Sequence, residues 1–238
     1  NLNVKILDAA DAPCAAIAPE FVEGSLQDYE AVYQFGQDVE VLTIEIEKVN
    51  VEALEQLESE GVKIYPKPAA LRIIRDKILQ KQFYKAHDIP TSDFLVTQDL
   101  AALKLQSAFL PAVHKLGMGG YDGRGVQVLK SEQDIDKGFD APAVLEKMVR
   151  IKKEIAMIIA INEEGDTALY PAVDMVFDPH LNLLDYQISP ADLPEKQLWK
   201  AEAIALKVVK DLKSPGIFAV ELFVDIDDNV LVNETAPR

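Results

Sequence analysis

The seven residues from Gly119 to Gly125 combine four glycines with a tyrosine, an aspartate and an arginine. Apolar segments on both sides, Leu110 to Leu116 and Val126 to Leu129, predict two strands joined by this loop. A glycine-rich backbone can turn its amides toward an anion. The run therefore predicts a lid over phosphates. The alternative is a plain hairpin tip, but such a tip does not need these three side chains.

A second feature is a predicted pair of carboxylates in the last hairpin. If the turn is centred between Asp227 and Asp228, Glu221 and Glu234 are equidistant from it and stand opposite each other. Opposed side chains have Cβ atoms about 4.5 to 5.5 Å apart, so the acids repel unless a cation lies between them. Magnesium prefers one or two carboxylates plus phosphate oxygens, and Asn233 can add an oxygen. A register shifted by one residue would instead place the acids on opposite faces.

Further residues surround an implied nucleotide. Lys115 ends the strand before the glycine loop, where its ammonium can meet a phosphate. The segment Glu146 to Val149 leaves a strand, so its backbone can face an adenine edge. Glu154 is an isolated acid at the start of an apolar strand and suits ribose hydroxyls. Together with the loop and the paired acids, these residues predict a nucleotide site.

The elements that must position these residues divide into two parts. Alternating strand and helix patterns before Pro66 predict an open parallel α/β sheet. Its strand Val41 to Ile44 runs into Glu45, at the sheet edge where such folds bind ligands, although Glu45 could equally be solvated. Pro66 marks the predicted domain boundary. Beyond it, one helix is predicted from Pro68 to about Asp88, followed by mostly antiparallel strands that include one from Thr167 to Val176.

Composition limits the classes of function. The chain has 238 residues, 49% hydrophobic side chains and a net charge of −16, which excludes a general nucleic-acid surface and leaves a small ligand. Its apolar runs are shorter than the roughly 20 residues of a membrane span. The single cysteine, Cys14, excludes an internal disulfide and fits a reducing, cytoplasmic setting. The three histidines lack metal-ligand spacing, and no nucleophile motif is present.

Four motifs are similar to those of the N5-carboxyaminoimidazole ribonucleotide synthetases, ATP-grasp enzymes of purine synthesis. They are Thr43 to Glu47, Arg75-Asp76-Lys77 with Gln80-Lys81, Gly119 to Gly125, and Val232 to Arg238. The resemblance covers essentially the whole chain. It implies an α/β, ATP-grasp fold with an N-terminal Rossmann-like domain at residues 1–66, an ATP-grasp domain at 67–238, and a glycine-loop lid subdomain at about 91–145.

The resemblance also implies the reaction and the cofactors. Bicarbonate would attack the ATP γ-phosphate to give carboxyphosphate, and the amine of aminoimidazole ribonucleotide would take up the carboxyl group. Mg²⁺ would accompany ATP, and the protein would be a cytoplasmic homodimer that needs no nucleic acid and no membrane.

Site roles follow from the same resemblance. The implied catalytic residues are Tyr121, Asp122 and Arg124. The implied ATP-binding residues are Lys77, Lys115, Gly120, Tyr121, Asp122, Gly123, Arg124, Gly125, Glu146, Lys147, Met148, Val149, Glu154, Asn233 and Glu234. The implied metal ligands are Glu221 and Glu234, and the implied substrate contacts are Glu45 and Arg238.

The chain departs from the family pattern at several points. Lys77 stands where the family usually has arginine, which keeps the charge but loses the planar fork. Val126 and Phe177 replace a common glutamine and histidine. The N-terminal glycine loop and the segment after Arg238 are absent, so we expect a fragment whose full function belongs to a longer protein.

Two other functions remain open from the sequence. One is an ATP-grasp ligase for another acid and amine, such as formate with glycinamide ribonucleotide. The other is a non-catalytic nucleotide-binding module, which the intact pair of Glu221 and Glu234 disfavours.

Lys77 and Lys81 lie four residues apart on one face of the predicted helix. Apart from the family resemblance, this spacing is typical of lysines on a solvated helix face.

Overall fold

A computed structural model describes residues 2–120, 125–178 and 183–238. The helices are α1 Tyr29–Gln37, α2 Val51–Ser59, α3 Pro68–Arg75, α4 Lys77–Ala86, α5 Leu100–Lys104 and α6 Glu195–Asp211. The strands are β1 Lys5–Asp8, β2 Glu20–Glu23, β3 Val41–Thr43, β4 Lys63–Tyr65, β5 Phe94–Thr97, β6 Ala112–Leu116, β7 Val126–Leu129, β8 Ala143–Lys147, β9 Ile151–Ile161, β10 Thr167–Leu169, β11 Val173–Phe177, β12 Leu184–Ile188, β13 Gly216–Asp225 and β14 Val230–Pro237. Short 3-10 helices lie at Pro13–Ala16, Ser107–Phe109 and Glu132–Lys137.

The N-terminal part has the predicted alternation of parallel strands and helices, but its strands form two separate two-stranded sheets and not one open sheet. β1 pairs with β2 and β3 with β4, each in parallel. Side-chain oxygens of Asp28 and Asn50 accept backbone N–H bonds at the starts of α1 and α2, over 2.8 and 2.9 Å. Such caps satisfy N–H groups that a helix cannot pair internally. Helices and strands enclose a core that includes Leu42, Leu54 and Leu57.

The helix predicted from Pro68 to about Asp88 is two helices. Asp76 interrupts it with an extended backbone, φ −111° and ψ 110°, and its carboxylate accepts from the N–H groups of Ile78 and Leu79 at the start of α4. An aspartate favours a helix cap over a helix interior because its short side chain bonds the nearby backbone. The break places Lys77 in the first turn of α4, where its N–H donates to Gly117 O at 2.8 Å.

A four-stranded antiparallel sheet, in the order β5-β8-β6-β7, carries the glycine loop. β6 and β7 pair from Ala112 opposite Leu129 to Lys115 opposite Val126, so the loop joins adjacent strands as predicted. This sheet has its own small core, which includes Leu103, Leu129 and Leu145.

A six-stranded sheet holds the opposite side of the site. Its order is β12-β11-β9-β13-β14, and β10 pairs with β9. α6 packs Ala201, Ala205 and Val208 against one face. The other face carries Glu154, Glu221 and Phe223, which border a cleft. The strand predicted from Thr167 to Val176 is divided into β10 and β11 around Pro171, since proline cannot donate to a sheet ladder. None of the described helices is long and apolar enough to cross a membrane.

Candidate active site

One cleft gathers almost all of the sequence-predicted site residues that the structure describes. It has a volume of about 1210 Å³ and lies between the N-terminal part, the glycine-loop sheet and the six-stranded sheet. The predicted residues that line it are Glu45, Lys77, Lys115, Gly120, Glu146, Lys147, Met148, Val149, Glu154, Glu221, Asn233, Glu234 and Arg238. Gly125 does not line the cleft, and its carbonyl accepts from Leu116 N at 2.9 Å. Tyr121, Asp122, Gly123 and Arg124 lie outside the described residues.

The two acids of the last hairpin stand opposite each other, as the sequence predicts. Glu221 of β13 pairs with Glu234 of β14, but the turn is centred on Asp227 and not between Asp227 and Asp228. A β-bulge compensates, because Leu222 pairs with Val232 and so Asn233 is the extra residue. A bulge re-aims the side chains around it, and both Asn233 and Glu234 line the cleft.

The two carboxyl groups differ in pKa because of burial, their mutual repulsion and the lysines nearby. Burial, with the charge of Glu234 nearby, raises the pKa of Glu221 to about 7. Burial also acts to raise the pKa of Glu234, but Lys77 and Lys115 outweigh it and hold that pKa below its ordinary value. The Lys77 ammonium is ion-paired with Glu234 Oε2. Glu234 is therefore the carboxylate that stays charged, and Glu221 is the one that needs a further positive charge.

A buried cluster of lysines and a carboxylate forms the next wall. Lys115 Nζ donates to Asn233 Oδ1 at 2.9 Å and lies 3.1 Å from Glu146 Oε1. Lys81 Nζ lies 2.8 Å from Glu146 Oε2, which also accepts from Ser92 Oγ at 2.8 Å. Although burial acts to raise the pKa of Glu146, Lys115 and Lys81 lower it to about 2. The carboxylate thus holds Lys115 at the mouth of the glycine loop.

The predicted solvated position of Lys81 is wrong. Its side chain is buried, and its ammonium also donates to Thr91 Oγ1 at 2.7 Å. Burial lowers the pKa of Lys81 to about 8, while Glu146 opposes that effect. The pattern of two lysines four residues apart is common on solvated helices, so it gives no signal that one of them faces a buried acid.

The end of β8 and the start of β9 form the apolar side of the cleft. Lys147 Nζ donates to the carbonyls of Phe109 and Leu110 at 2.9 and 3.1 Å, so its ammonium braces the neighbouring loop. Met148 and Val149 follow as a connecting segment that lines the cleft. Glu154 projects into the same space, and burial raises its pKa.

The cleft residues that were not selected from the sequence include Glu47, Arg75 and Phe223. Glu47 is half-buried, whereas the selected Glu45 is exposed. Burial raises the pKa of Glu47, and Lys77 opposes that effect. The signal for Phe223 was present, because it lies two residues from Glu221 on one strand and so shares its face.

A divalent cation needs oxygen ligands, which Glu221, Glu234 and Asn233 offer in the cleft. Across residues 2–120, 125–178 and 183–238, no group of three or more His, Cys, Asp or Glu side chains is placed to hold a metal ion. The two opposed carboxylates with the Asn233 amide therefore fit magnesium, which takes few protein ligands and completes its shell with phosphate oxygens and water. They do not fit an all-protein calcium cage.

The six-stranded sheet, the glycine-loop sheet and the cleft that they share are typical of an ATP-grasp protein. A family model described as ATP-grasp domain matches residues 82–238, and the chain belongs to the ATP-grasp family. A second model, described as ribonucleotide synthetase preATP-grasp domain, matches residues 1–75. The fold predicted from the sequence motifs is thereby confirmed.

Relatives carry more specific names. The chain is 36% identical over 244 residues to phosphoribosylaminoimidazole carboxylase of Vigna aconitifolia, covering 100% of this chain and 43% of that protein. It is 33% identical over 244 residues to N5-carboxyaminoimidazole ribonucleotide synthase of Pseudomonas aeruginosa, covering 100% of this chain and 66% of that protein.

A similar solved structure is the N5-carboxyaminoimidazole synthase of Aspergillus clavatus in complex with ADP and 5-aminoimidazole ribonucleotide. Its TM-score is 0.86 at 31% identity, covering 98% of this chain and 62% of that chain. The chain spans less than two thirds of the length of each of these relatives.

Proposed function

We propose that the chain forms the ATP-binding part of a carbon–nitrogen ligase that carboxylates 5-aminoimidazole ribonucleotide. In the complete protein an oxygen of bicarbonate attacks the γ-phosphorus of ATP, ADP leaves, and carboxyphosphate results. The exocyclic amine of the ribonucleotide then gains the carboxyl group and loses a proton, and phosphate is released. The observation that carries the proposal is the opposed pair Glu221 and Glu234 beside Lys115, in a cleft that the glycine-loop sheet borders.

The nucleotide end of this cleft is assigned to the lysines and to the end of β8. Lys77 and Lys115 bind phosphate oxygens, and amides of the loop that includes Gly120 and Gly125 close over them. The segment Glu146 to Val149 borders the adenine, and Glu154 accepts from the ribose hydroxyls. Support comes from their shared cleft and from the apolar walls around Met148 and Phe223.

Mg²⁺ would be held by Glu221 and Glu234, with Asn233 as a further oxygen donor. When bound, the ion neutralises charge on the transferring phosphoryl group. Glu234 is already charged, and Glu221 loses its proton once a cation lies beside it, since an adjacent positive charge favours the ionised form.

The acceptor end of the cleft is assigned to the remaining residues. Tyr121, Asp122 and Arg124 act on carboxyphosphate and the ribonucleotide. The guanidinium of Arg124 can donate two parallel hydrogen bonds to oxygens of carboxyphosphate. Glu45 and Arg238 contact the ribonucleotide from two sides of the cleft. We divide the chain at residues 1–66 and 67–238, with the lid subdomain at about 91–145, and we expect a cytoplasmic homodimer.

ADP release by the complete protein tests the function. With magnesium, ATP and bicarbonate present, we expect release to require aminoimidazole ribonucleotide. Asp122→Ala and Arg124→Ala should abolish that stimulation. Stimulation by glycinamide ribonucleotide with formate would assign a different ligase, and stimulation by neither substrate would leave a nucleotide-binding module.

A further inference from the structure

The ammonium of Lys77 lies at the carboxylate pair. Its Nζ is ion-paired with Glu234 Oε2, and their side chains are 23% and 33% exposed. Glu234 is the direct cross-strand partner of Glu221. A positive charge therefore already contacts one of the two proposed metal ligands.

The charges around this position single out Lys77. The charged groups that interact with Glu234 or Glu221 include Lys77, Lys81, Lys115, Arg238, Glu47, Glu146 and Glu154. Lys115 is engaged by Glu146 and Asn233. Within the described part of the chain, Lys77 is the one lysine or arginine within ion-pair distance of Glu234. The ammonium that a metal ion at Glu234 would have to displace is therefore that of Lys77.

The backbone of Lys77 is held by the segment that leads into the glycine loop. Its N–H donates to Gly117 O at 2.8 Å, at the base of the glycine loop. A Cβ on Gly117 would lie 2.9 Å from Ile78 Cδ1, so the loop base packs closely against α4. A lysine presents a point charge on a flexible four-carbon stem, which can exchange one anion for another more easily than the planar fork of arginine.

We propose that Lys77 is a built-in substitute for the divalent cation, which the nucleotide phosphates draw away so that Glu234 becomes free to bind metal. The proposal rests on the proposed nucleotide and metal sites. It makes metal entry dependent on the nucleotide: without phosphates the ammonium competes with the metal for Glu234, and with phosphates it becomes a phosphate ligand. The pair of acids is never left without a counter-charge.

Binding of Mn²⁺ without nucleotide tests the first half of the exchange. In Lys77→Met the competing charge is gone, so we expect Mn²⁺, measured by electron paramagnetic resonance of the free ion, to bind about tenfold more tightly than in the unmodified chain. Lys77→Gln should behave in the same way, whereas Lys77→Arg retains the charge and should restore weak binding. Lys85→Met removes an exposed lysine of the same helix and should change nothing.

Binding of ADP in the presence of a chelator tests the second half. Lys77→Met should weaken it about tenfold, since an ammonium–phosphate bond is lost. Unchanged Mn²⁺ affinity in both Lys77→Met and Lys77→Gln, with circular dichroism showing both folded, would overturn the proposal. So would tighter Mn²⁺ binding with unchanged ADP binding, because the ammonium would then not move to the phosphates.

The same titration separates this inference from the proposed function. Glu221→Gln with Glu234→Gln should abolish Mn²⁺ binding, with and without ADP. If that double variant binds Mn²⁺ as well as the unmodified chain does, the metal site itself is wrong and the exchange is wrong with it. If it does not bind, but the Lys77 variants match the unmodified chain, the exchange alone is overturned.

Discussion

Gln80 ties the outer edge of β14 to helix α4, and its replacement by leucine should destabilise the fold strongly. Its Nε2 donates to Ile74 O at 2.9 Å and to Thr235 O at 3.0 Å. Its Oε1 accepts from Thr235 N at 3.1 Å and from Tyr84 OH at 2.9 Å. The side chain thus pairs with the backbone of β14 as a neighbouring strand would, one residue from Glu234.

The expected loss follows from the groups that Gln80→Leu leaves behind. Gln80 and Thr235 are buried, so the N–H and C=O of Thr235 lose their partners without access to water. Each buried group without a partner costs about 1 to 3 kcal/mol. The additional apolar surface of leucine offsets part of this, and we expect a loss of about 3 kcal/mol in the free energy of unfolding.

Urea unfolding followed by far-ultraviolet circular dichroism and by the fluorescence of Trp199 measures this loss. Gln82→Leu is the matched control, since Gln82 lies on the same helix and is exposed. That change should stay within about 0.5 kcal/mol. If Gln80→Leu and Gln82→Leu unfold at the same urea concentration, the pairing of Gln80 with β14 does not stabilise the protein and the reasoning is refuted.

Two other residues give separate tests. His114 is buried, its Nδ1 accepts from Phe139 N, and burial lowers its pKa to about 4. Only the unfolded chain takes up that proton between pH 6.5 and 4, so His114 alone should lower the stability by about 1 to 2 kcal/mol from pH 7 to pH 5. Glu221, whose pKa is raised to about 7, acts in the opposite direction, so the test is the difference between variants. In urea unfolding, His114→Gln should gain about 1 to 2 kcal/mol relative to the unmodified chain between pH 7 and pH 5, whereas His87→Gln should follow the unmodified chain. Lys115→Met should weaken ADP binding by roughly ten- to a hundredfold in calorimetry, because a charged hydrogen bond is lost, while Lys104→Met, outside the cleft, should bind ADP normally.

The motifs and the alternation of strand and helix patterns predict most of the fold, because they reflect local rules. The parallel pairs of the N-terminal part and the glycine-loop hairpin both follow from periodicity and turn residues. The break at Asp76 had a local signal, an aspartate suited to cap a helix, but the helical pattern continues through it.

Long-range burial has no such local signal. The helical spacing does not distinguish Lys77 from Lys81, yet one reaches Glu234 and the other is enclosed by Glu146, Thr91 and Ser92. Their partners lie on β14, on β8 and after α4, and only the packing of those elements decides which lysine meets which anion.

The carboxylate pair was predicted correctly because two departures from the predicted hairpin cancel: the turn is shifted and β14 contains a bulge. Near the turn, Val224 pairs with Val230, which is one residue short of the predicted register. If that register continued, Glu221 would face Asn233, and Glu234 would face Val220 and turn into the core, since neighbouring residues of a strand point to opposite sides. The bulge at Asn233 restores the missing residue, and Gln80 then holds Thr235 so that the strand cannot slip back. The opposed position of the two acids therefore depends on the bulge at Asn233 and on the Gln80 side chain of α4. Neither feature can be recognised from the spacing of Glu221 and Glu234 in the sequence.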